Sequence, residues 1–291
     1  MSKTNKSNTP TPIEPTYTKE TINTPLSTPK PLLTNLLLFS FIAVFVAMTA
    51  MSFFYGLSGD EVDMNEYGKT ILKYFTSFGS DQSVFRTSDE LNAAKVYNYN
   101  RDGVIQYYGG LFDLICALIN TISPLDEYVT RHLLNAWAGF LALFFAAKIT
   151  RKILGEQAAI IAVWLMFLSP FFLGHAMNNP KDIPFAATYI MSIYFMIRLF
   201  ERLPNPSKKD YLWVILSIGA TINIRVGGIL LIPYLAVFAG ILFIVKNYIQ
   251  QEKVALGTFV KPVLITGVLG YLAGSLLWPY ALQNPFTNPL N

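Results

Sequence analysis

The sequence predicts an all-α polytopic membrane protein with about seven transmembrane helices and surface helices in a long first external loop. Two observations predict this class. Apolar residues make up 53% of the 291 residues and charged residues only 14%, whereas soluble domains carry about 25% charged residues. The apolar residues also fall in runs of about 20, the length that an α-helix needs to cross a bilayer.

The charged and metal-binding residues argue against several other classes. The net charge is only +4 and no dense basic block occurs, so nucleic acid is not an expected partner. Cys116 is the single cysteine, and the chain has two histidines. Neither an internal disulfide nor a zinc site is therefore expected.

Composition divides the chain into two parts. Residues 1–31 are rich in Thr, Pro, Ser, Asn and Lys, and this composition predicts a disordered cytoplasmic tail. The apolar run that follows starts too late and is too long for a cleaved signal peptide. Residues 32–291 therefore predict one transmembrane domain. Because the chain ends soon after its last apolar run, we expect this domain to be incomplete at its C-terminus.

Seven apolar runs are candidates for membrane-spanning helices. The fifth run is short and is followed directly by Arg225, so we expect it to be tilted, broken or shielded by protein. The predicted spans are residues 32–56, 129–150, 157–175, 183–200, 210–224, 227–246 and 261–282.

An eighth apolar run, residues 105–122, decides the topology. Cytoplasmic loops are enriched in Lys and Arg. If this run lies on the outer surface, 14 of the 22 basic residues share the side of the N-terminus, and 12 of the 18 acids lie opposite. If it spans the membrane, the short basic loops move outside. The charges favour a surface helix, a first external loop at residues 57–128 and a cytoplasmic N-terminus.

Four stretches on the predicted outer side carry ionisable residues next to apolar runs. They hold the pair Asp60-Glu61, then Arg131, then Asp182 within NNPKDIPF, and finally Arg225. Ionisable groups at membrane depth are expensive and tend to be functional or paired. Carboxylates suit a base that accepts a hydroxyl proton, and arginines suit the capture of phosphate. Structural roles remain open: capping for the acids, and headgroup anchoring for Arg131.

Taken in this order, these residues resemble the GT-C glycosyltransferases. More narrowly, they resemble the family 39 group of protein O-mannosyltransferases and bacterial lipid A aminoarabinose transferases. The resemblance covers roughly residues 32–291. Its motifs are Asp60-Glu61 ending the first helix, Tyr108-Gly109-Gly110-Leu111, Arg131 opening the second span, Ser169-Pro170 ending the third, Asp182 in the next external loop, and Arg225-Val226-Gly227-Gly228.

The resemblance implies a role for each matching residue. Asp60 would be the base that deprotonates the acceptor, and Glu61 would position it. Asp182 would assist in binding the acceptor or the sugar. Arg131 and Arg225 would hold the phosphate of a polyprenyl-phosphate-linked sugar, the donor, and would stabilise the leaving group.

Four further residues are expected to support the site: His175, Asn179, Lys181 and Tyr108. The acceptor would be a protein, a lipid or a glycan, reached among membrane lipids. The three acids would also suit a divalent cation, although no metal site is expected from the family 39 pattern.

The resemblance and the loop charges together predict a bacterial inner-membrane protein with a periplasmic active site. A transporter or flippase of a lipid-linked or anionic substrate is the alternative, because Arg225 and the interrupted runs would suit a substrate path. Such a protein predicts internal repeats, and none is evident in the sequence. A non-catalytic membrane scaffold is a second alternative, which would tolerate replacement of Asp60.

Overall fold

A computed structural model describes residues 31–85 and 105–290, and this part of the chain is helical without a strand. The predicted tail, apart from its last residue, lies outside the described residues, and so do residues 86–104 of the predicted first external loop. The α-helices are α1 Pro31–Met51, α2 Glu61–Thr76, α3 Leu111–Asn120, α4 Glu127–Leu154, α5 Glu156–Phe167, α6 Pro170–Asn178, α7 Asp182–Glu201, α8 Lys208–Ile224, α9 Leu231–Ile244, α10 Gly257–Ser275 and α11 Pro279–Gln283.

Helices occupy all seven stretches that the sequence predicts as spans. Five of them are long and apolar enough to cross a membrane; for α9 this span includes the helical turns on either side of it, at Val226–Ile249. The sixth is the pair α5 and α6, which is bent by 67°. The seventh, α8, has 17 residues, about 25 Å of helix, whereas the hydrocarbon core is about 30 Å thick. The all-α polytopic class is confirmed, and the exact count of seven stays a prediction.

Two helices, α5 and α6, with a bend between them form the predicted span at residues 157–175. Helix α5 ends at Phe167, and Pro170 opens α6 at a position where its missing N–H costs nothing. The Ser169 hydroxyl caps the new helix by accepting from the Phe172 N–H at 3.4 Å. The Ser-Pro dipeptide therefore ends one helix and starts another in a new direction.

The apolar run at residues 105–122 forms a short helix and not a span. Helix α3 has ten residues and is about 15 Å long, half of the hydrocarbon thickness. It packs against α2, which also lies in the predicted first external loop, around buried Met64, Tyr67 and Leu114. The structure agrees with the prediction that this run does not cross the membrane.

One end of the bundle, named here the basic end, gathers the short basic loops. The α4–α5 turn is held by Arg151 and Glu156, whose side chains lie 2.5 Å apart, and Glu156 also accepts from the Thr34 hydroxyl near the start of α1. Lys152 reaches Glu201 at the end of α7 at 2.5 Å. The short loops rich in Lys and Arg therefore lie at one end of the bundle, as the charge pattern predicts. Which end faces the cytoplasm stays a prediction.

The opposite end carries α2 and α3 as a layer that is fixed tightly to the bundle. The Tyr67 hydroxyl donates to the Tyr108 carbonyl at 2.7 Å, and the Trp278 indole donates to the Gln106 carbonyl at 2.9 Å. At Gly109, an added Cβ would lie 2.0 Å from the Asn223 carbonyl oxygen. Only glycine allows this approach, which places Tyr108 beside the end of α8.

Candidate active site

A small cleft lies at the end of the bundle opposite the basic end, and its volume is about 240 Å³. Three separate parts of the chain form it: the loop before α2, the α6–α7 turn, and the residue that follows α8. Its lining residues are Ser58, Gly59, Asp60, His175, Asn178, Asn179, Pro180, Lys181, Asp182 and Arg225.

The loop before α2 presents Asp60 to the cleft. Asp60 occupies the position before the first helical residue, yet its side chain makes no capping hydrogen bond and is 74% exposed. The loop itself is fixed, because the Ser58 hydroxyl donates to the Asn178 carbonyl at 2.9 Å. Asp60 is therefore an accessible carboxylate on an anchored loop.

The α6–α7 turn presents Asp182 through a local network. The Asn179 side-chain oxygen accepts from the Asp182 N–H at 2.9 Å, and its amide nitrogen donates to the Asp182 carboxylate at 3.0 Å. That nitrogen also lies 2.8 Å from His175 Nδ1. The His175 carbonyl in turn accepts from the Asn135 amide of α4 at 3.0 Å. These contacts fix the direction of the Asp182 side chain.

Arg225 enters the cleft because the helix breaks at this residue. Helix α8 ends at Ile224, and Arg225 has an extended backbone with φ −148° and ψ 137°. Its Nη1 lies 2.7 Å from Asp182 Oδ1, and its Nε has no hydrogen-bond partner among the described residues. Since a guanidinium carries five N–H donors, this arginine keeps capacity for a ligand.

Lys181 is the second cation of the cleft. Its ammonium group lies 3.8 Å from Asp60 Oδ2 and 4.6 Å from the centre of the Tyr108 ring. The ring face attracts the cation, and this attraction grows as water is excluded. The cleft thus contains two carboxylates and two cations, and each carboxylate lies beside one cation.

Glu61 lies beneath the cleft and does not line it. Its carboxylate is buried, lies 2.9 Å from His132 Nε2 of α4, and accepts from the Ser58 N–H at 2.7 Å. These contacts join the Asp60 loop to α4. The geometry is compatible with the predicted positioning role of Glu61, which stays a prediction.

Arg131 also lies below the cleft, in a buried ion pair with Asp113 of α3. Its guanidinium lies 5.5 Å from the centre of the Phe112 ring. Burial raises the pKa of Asp113, and the Arg131 charge opposes that rise. The structure does not bring Arg131 to the cleft, so the predicted contact with a phosphate would require this pair to open.

The comparison with protein families is decisive for the class of this protein. The family model for dolichyl-phosphate-mannose-protein mannosyltransferases matches residues 111–272, more than half of the chain. The chain belongs to this family. Neither the curated proteins nor the solved structures gave a match.

Membership of the mannosyltransferase family confirms the predicted resemblance to GT-C glycosyltransferases. The protein is a multi-pass membrane glycosyltransferase of the mannosyltransferase type that uses a lipid-linked sugar donor. The matched region includes Lys181, Asp182 and Arg225 but begins after Asp60 and Tyr108. The evidence that Asp60 lies beside the other cleft residues therefore comes from the fold and not from the family match.

Sequence reasoning gave no role to three residues at or near this mannosyltransferase-family site: Ser58 and Asn178, which line the cleft, and Asp113, which is the buried partner of Arg131. Asp113 carried a signal, because it is an isolated acid inside an apolar run, and such a residue usually has a buried partner. Ser58 and Asn178 carried none, since their pairing depends on two loops that are 120 residues apart.

The residues that the structure describes include no group of three His, Cys, Asp or Glu side chains able to hold a metal ion. Of the three acids considered for a shared cation, Glu61 lies outside the cleft against His132.

Proposed function

We propose that the protein transfers one sugar from a polyprenyl-phosphate donor to an acceptor hydroxyl or amine on the external side of the membrane. The observation that carries this proposal is the cleft itself. It combines an accessible carboxylate, Asp60, with two cations, Lys181 and Arg225, from three separate parts of the chain. A base next to a phosphate-binding pair is what an inverting sugar transfer from a lipid phosphate requires.

Asp60 is the base in this proposal. The acceptor oxygen or nitrogen attacks the anomeric carbon of the sugar, and its proton passes to the Asp60 carboxylate. The bond between the anomeric carbon and the phosphate oxygen breaks, and the polyprenyl phosphate leaves with the bonding electrons. The side chain suits this task because it is exposed at the cleft and makes no capping hydrogen bond.

Arg225 and Lys181 are the phosphate ligands. Both now lie beside a carboxylate, Arg225 beside Asp182 and Lys181 beside Asp60. A donor phosphate in the cleft would take these cations as partners, leaving Asp60 to the acceptor and Asp182 to the sugar hydroxyls. The two cations would then stabilise the charge that develops on the leaving phosphate.

The dimensions of the molecule support a donor with a single sugar. The cleft volume of about 240 Å³ is below the roughly 300–1,000 Å³ of sites that enclose drug-sized ligands. An apolar groove of about 720 Å³ between α7 and α9 includes Leu231, six residues beyond Arg225. A polyprenyl chain bound through its phosphate at Arg225 would lie along this groove.

The basic end supports the predicted orientation, with cytoplasmic short loops and an external cleft. In a bacterium this orientation places the protein in the inner membrane with a periplasmic active site. The acceptor would then be an external protein, lipid or glycan.

The test is a binding and turnover assay on the purified full chain with a panel of polyprenyl-phosphate sugars. Wild type should release polyprenyl phosphate. Asp60→Asn should bind the donor but lose turnover by at least 10²-fold, since general base catalysis contributes about 10²- to 10⁴-fold. Arg225→Ala should lose donor binding, because it removes a phosphate ligand.

Asp63→Asn is the matched control. Asp63 lies one turn from Asp60 on α2 but does not line the cleft, so this variant should retain turnover. Full turnover by Asp60→Asn would exclude the proposed base, and an equal loss in Asp63→Asn would show that only the local charge matters.

A further inference from the structure

A second groove lies at the basic end, between the first turns of α8 and α10. Its volume is about 720 Å³. We name it the lysine groove, because Lys208 and Lys261 stand at its sides. Its other lining residues are Pro204, Asn205, Pro206, Tyr211, Leu212, Ile215, Gly257, Thr258, Pro262, Ile265 and Leu269.

The lysine groove carries positive charge that the described residues do not neutralise. Several other basic side chains at this end are paired, namely Arg151 with Glu156, Lys152 with Glu201, Arg202 with Asp210, and Lys246 with Glu252. Lys208 and Lys261 form no ion pair with any residue in the described part of the chain. Lys209 and Lys253 form no ion pair with a described residue either, but they do not line the groove.

Asp210, the acid closest to Lys208 in sequence, is already engaged elsewhere. Its carboxylate receives two contacts of 2.8 Å from Arg202 and hydrogen bonds from the Ser207 N–H and hydroxyl. Lys208 is also the first residue of α8, where a positive charge opposes the helix dipole. Lys208 is exposed, and an anion beside it would offset this unfavourable interaction.

We propose that the lysine groove binds an anionic phospholipid, with the headgroup phosphate between Lys208 and Lys261. Basic pockets between transmembrane helices bind acidic headgroups in this way. The positive N-terminal ends of α8 and α10, which both border the groove, add to the attraction.

The apolar part of the groove identifies a lipid as the occupant in preference to a free anion. From Lys208 to Ile215 the wall extends by seven residues, and from Lys261 to Leu269 by eight. Both distances are about 10–12 Å along a helix. Since α10 is long and apolar enough to span a membrane, the walls run from headgroup level into the hydrocarbon layer, where an acyl chain would cover them.

The test measures lipid binding to the purified full chain in an uncharged detergent, by native mass spectrometry with added phosphatidylglycerol or phosphatidylcholine. Wild type should retain phosphatidylglycerol preferentially. Lys208→Gln combined with Lys261→Gln should weaken its binding about 25-fold, at about fivefold for each lysine near the headgroups. Phosphatidylcholine binding should not change, and inorganic phosphate should not displace the lipid.

Lys209→Gln combined with Lys253→Gln removes the same charge from residues that do not line the groove, so it should bind phosphatidylglycerol like wild type. An equal loss in both double variants, equal retention of the two lipids by wild type, or displacement by inorganic phosphate would each overturn the proposal. Turnover with the polyprenyl donor should persist in both variants, which keeps this test separate from that of the cleft.

Discussion

Replacing Asp113 by Ala should release helix α3 from the bundle, because Asp113 is the counterion of a fully buried arginine. The Arg131 guanidinium donates to Asp113 through Nη2, whereas its Nε and Nη1 have no partner among the described residues. Without the Asp113 carboxylate, the positive charge of Arg131 would be buried and uncompensated. Breaking a buried pair in this way costs about 3–5 kcal/mol.

Cys116 provides a direct assay of this opening. It is the single cysteine of the chain and lies three residues beyond Asp113, on the same side of α3. Burial raises the pKa of its thiol to about 12, so at pH 8 the folded protein holds it protonated and it should resist maleimide. An opening free energy lower by 3–5 kcal/mol should accelerate labelling by roughly 10²- to 10⁴-fold.

Two comparisons make this experiment decisive. Glu66→Gln is the control for loss of an exposed ion pair, because the side chains of Lys69 and Glu66 are each about one-third exposed. The loss of stability in this variant should stay below about 1 kcal/mol. Asp113→Leu combined with Arg131→Met removes both charges together and should restore slow labelling. Slow labelling in Asp113→Ala, or labelling as fast in the double variant as in the single one, would refute the reasoning.

Two further changes test how the outer layer shapes the cleft. Gly109→Ala should lower turnover more than tenfold, because its Cβ would lie 2.0 Å from the Asn223 carbonyl oxygen. Gly240→Ala is the control: its Cβ would have no atom within 4 Å and Gly240 does not line the cleft, so this variant should retain turnover. Equal turnover of the two variants would contradict this reasoning. Tyr108→Ala should weaken donor binding about two- to thirtyfold, because it removes the ring that faces Lys181. Tyr108→Phe keeps this ring and should bind the donor like wild type. A similar loss of binding in both variants would assign the effect to the hydroxyl.

The positions of the helices could be predicted because each one depends on local composition. Apolar runs of sufficient length form helices in a membrane regardless of their neighbours, and the positions of α1, α4 and α9 follow from them. The bend at Ser169-Pro170 was less predictable. Proline accounts for the break between α5 and α6, but the 67° angle depends on the packing of α5 against α1 and α4 and of α6 against α4.

The cleft could be predicted in part because its residues stand at helix ends. Asp60, Asp182 and Arg225 each adjoin an apolar run on the same predicted side, so topology alone brings them to one end of the bundle. The partners of Glu61 and Arg131 could not be predicted in this way. Their pairs with His132 and Asp113 depend on how α2 and α3 pack on α4, and this packing leaves no periodic signal in the sequence.

The burial of the ion pairs suggests why some charges form the scaffold and others can exchange partners. Arg131 is paired with Asp113 within the protein interior, where loss of a partner costs several kcal/mol. Glu61 is also buried, within hydrogen-bond distance of His132. Asp182 and Arg225 are paired where their side chains are 55% and 36% exposed, and exposed pairs contribute only about 0–1 kcal/mol. In the proposed transfer, an incoming phosphate would therefore displace the Asp182 carboxylate at little cost, while the buried contacts of Glu61 with Ser58 and His132 hold the loop that carries Asp60 in place.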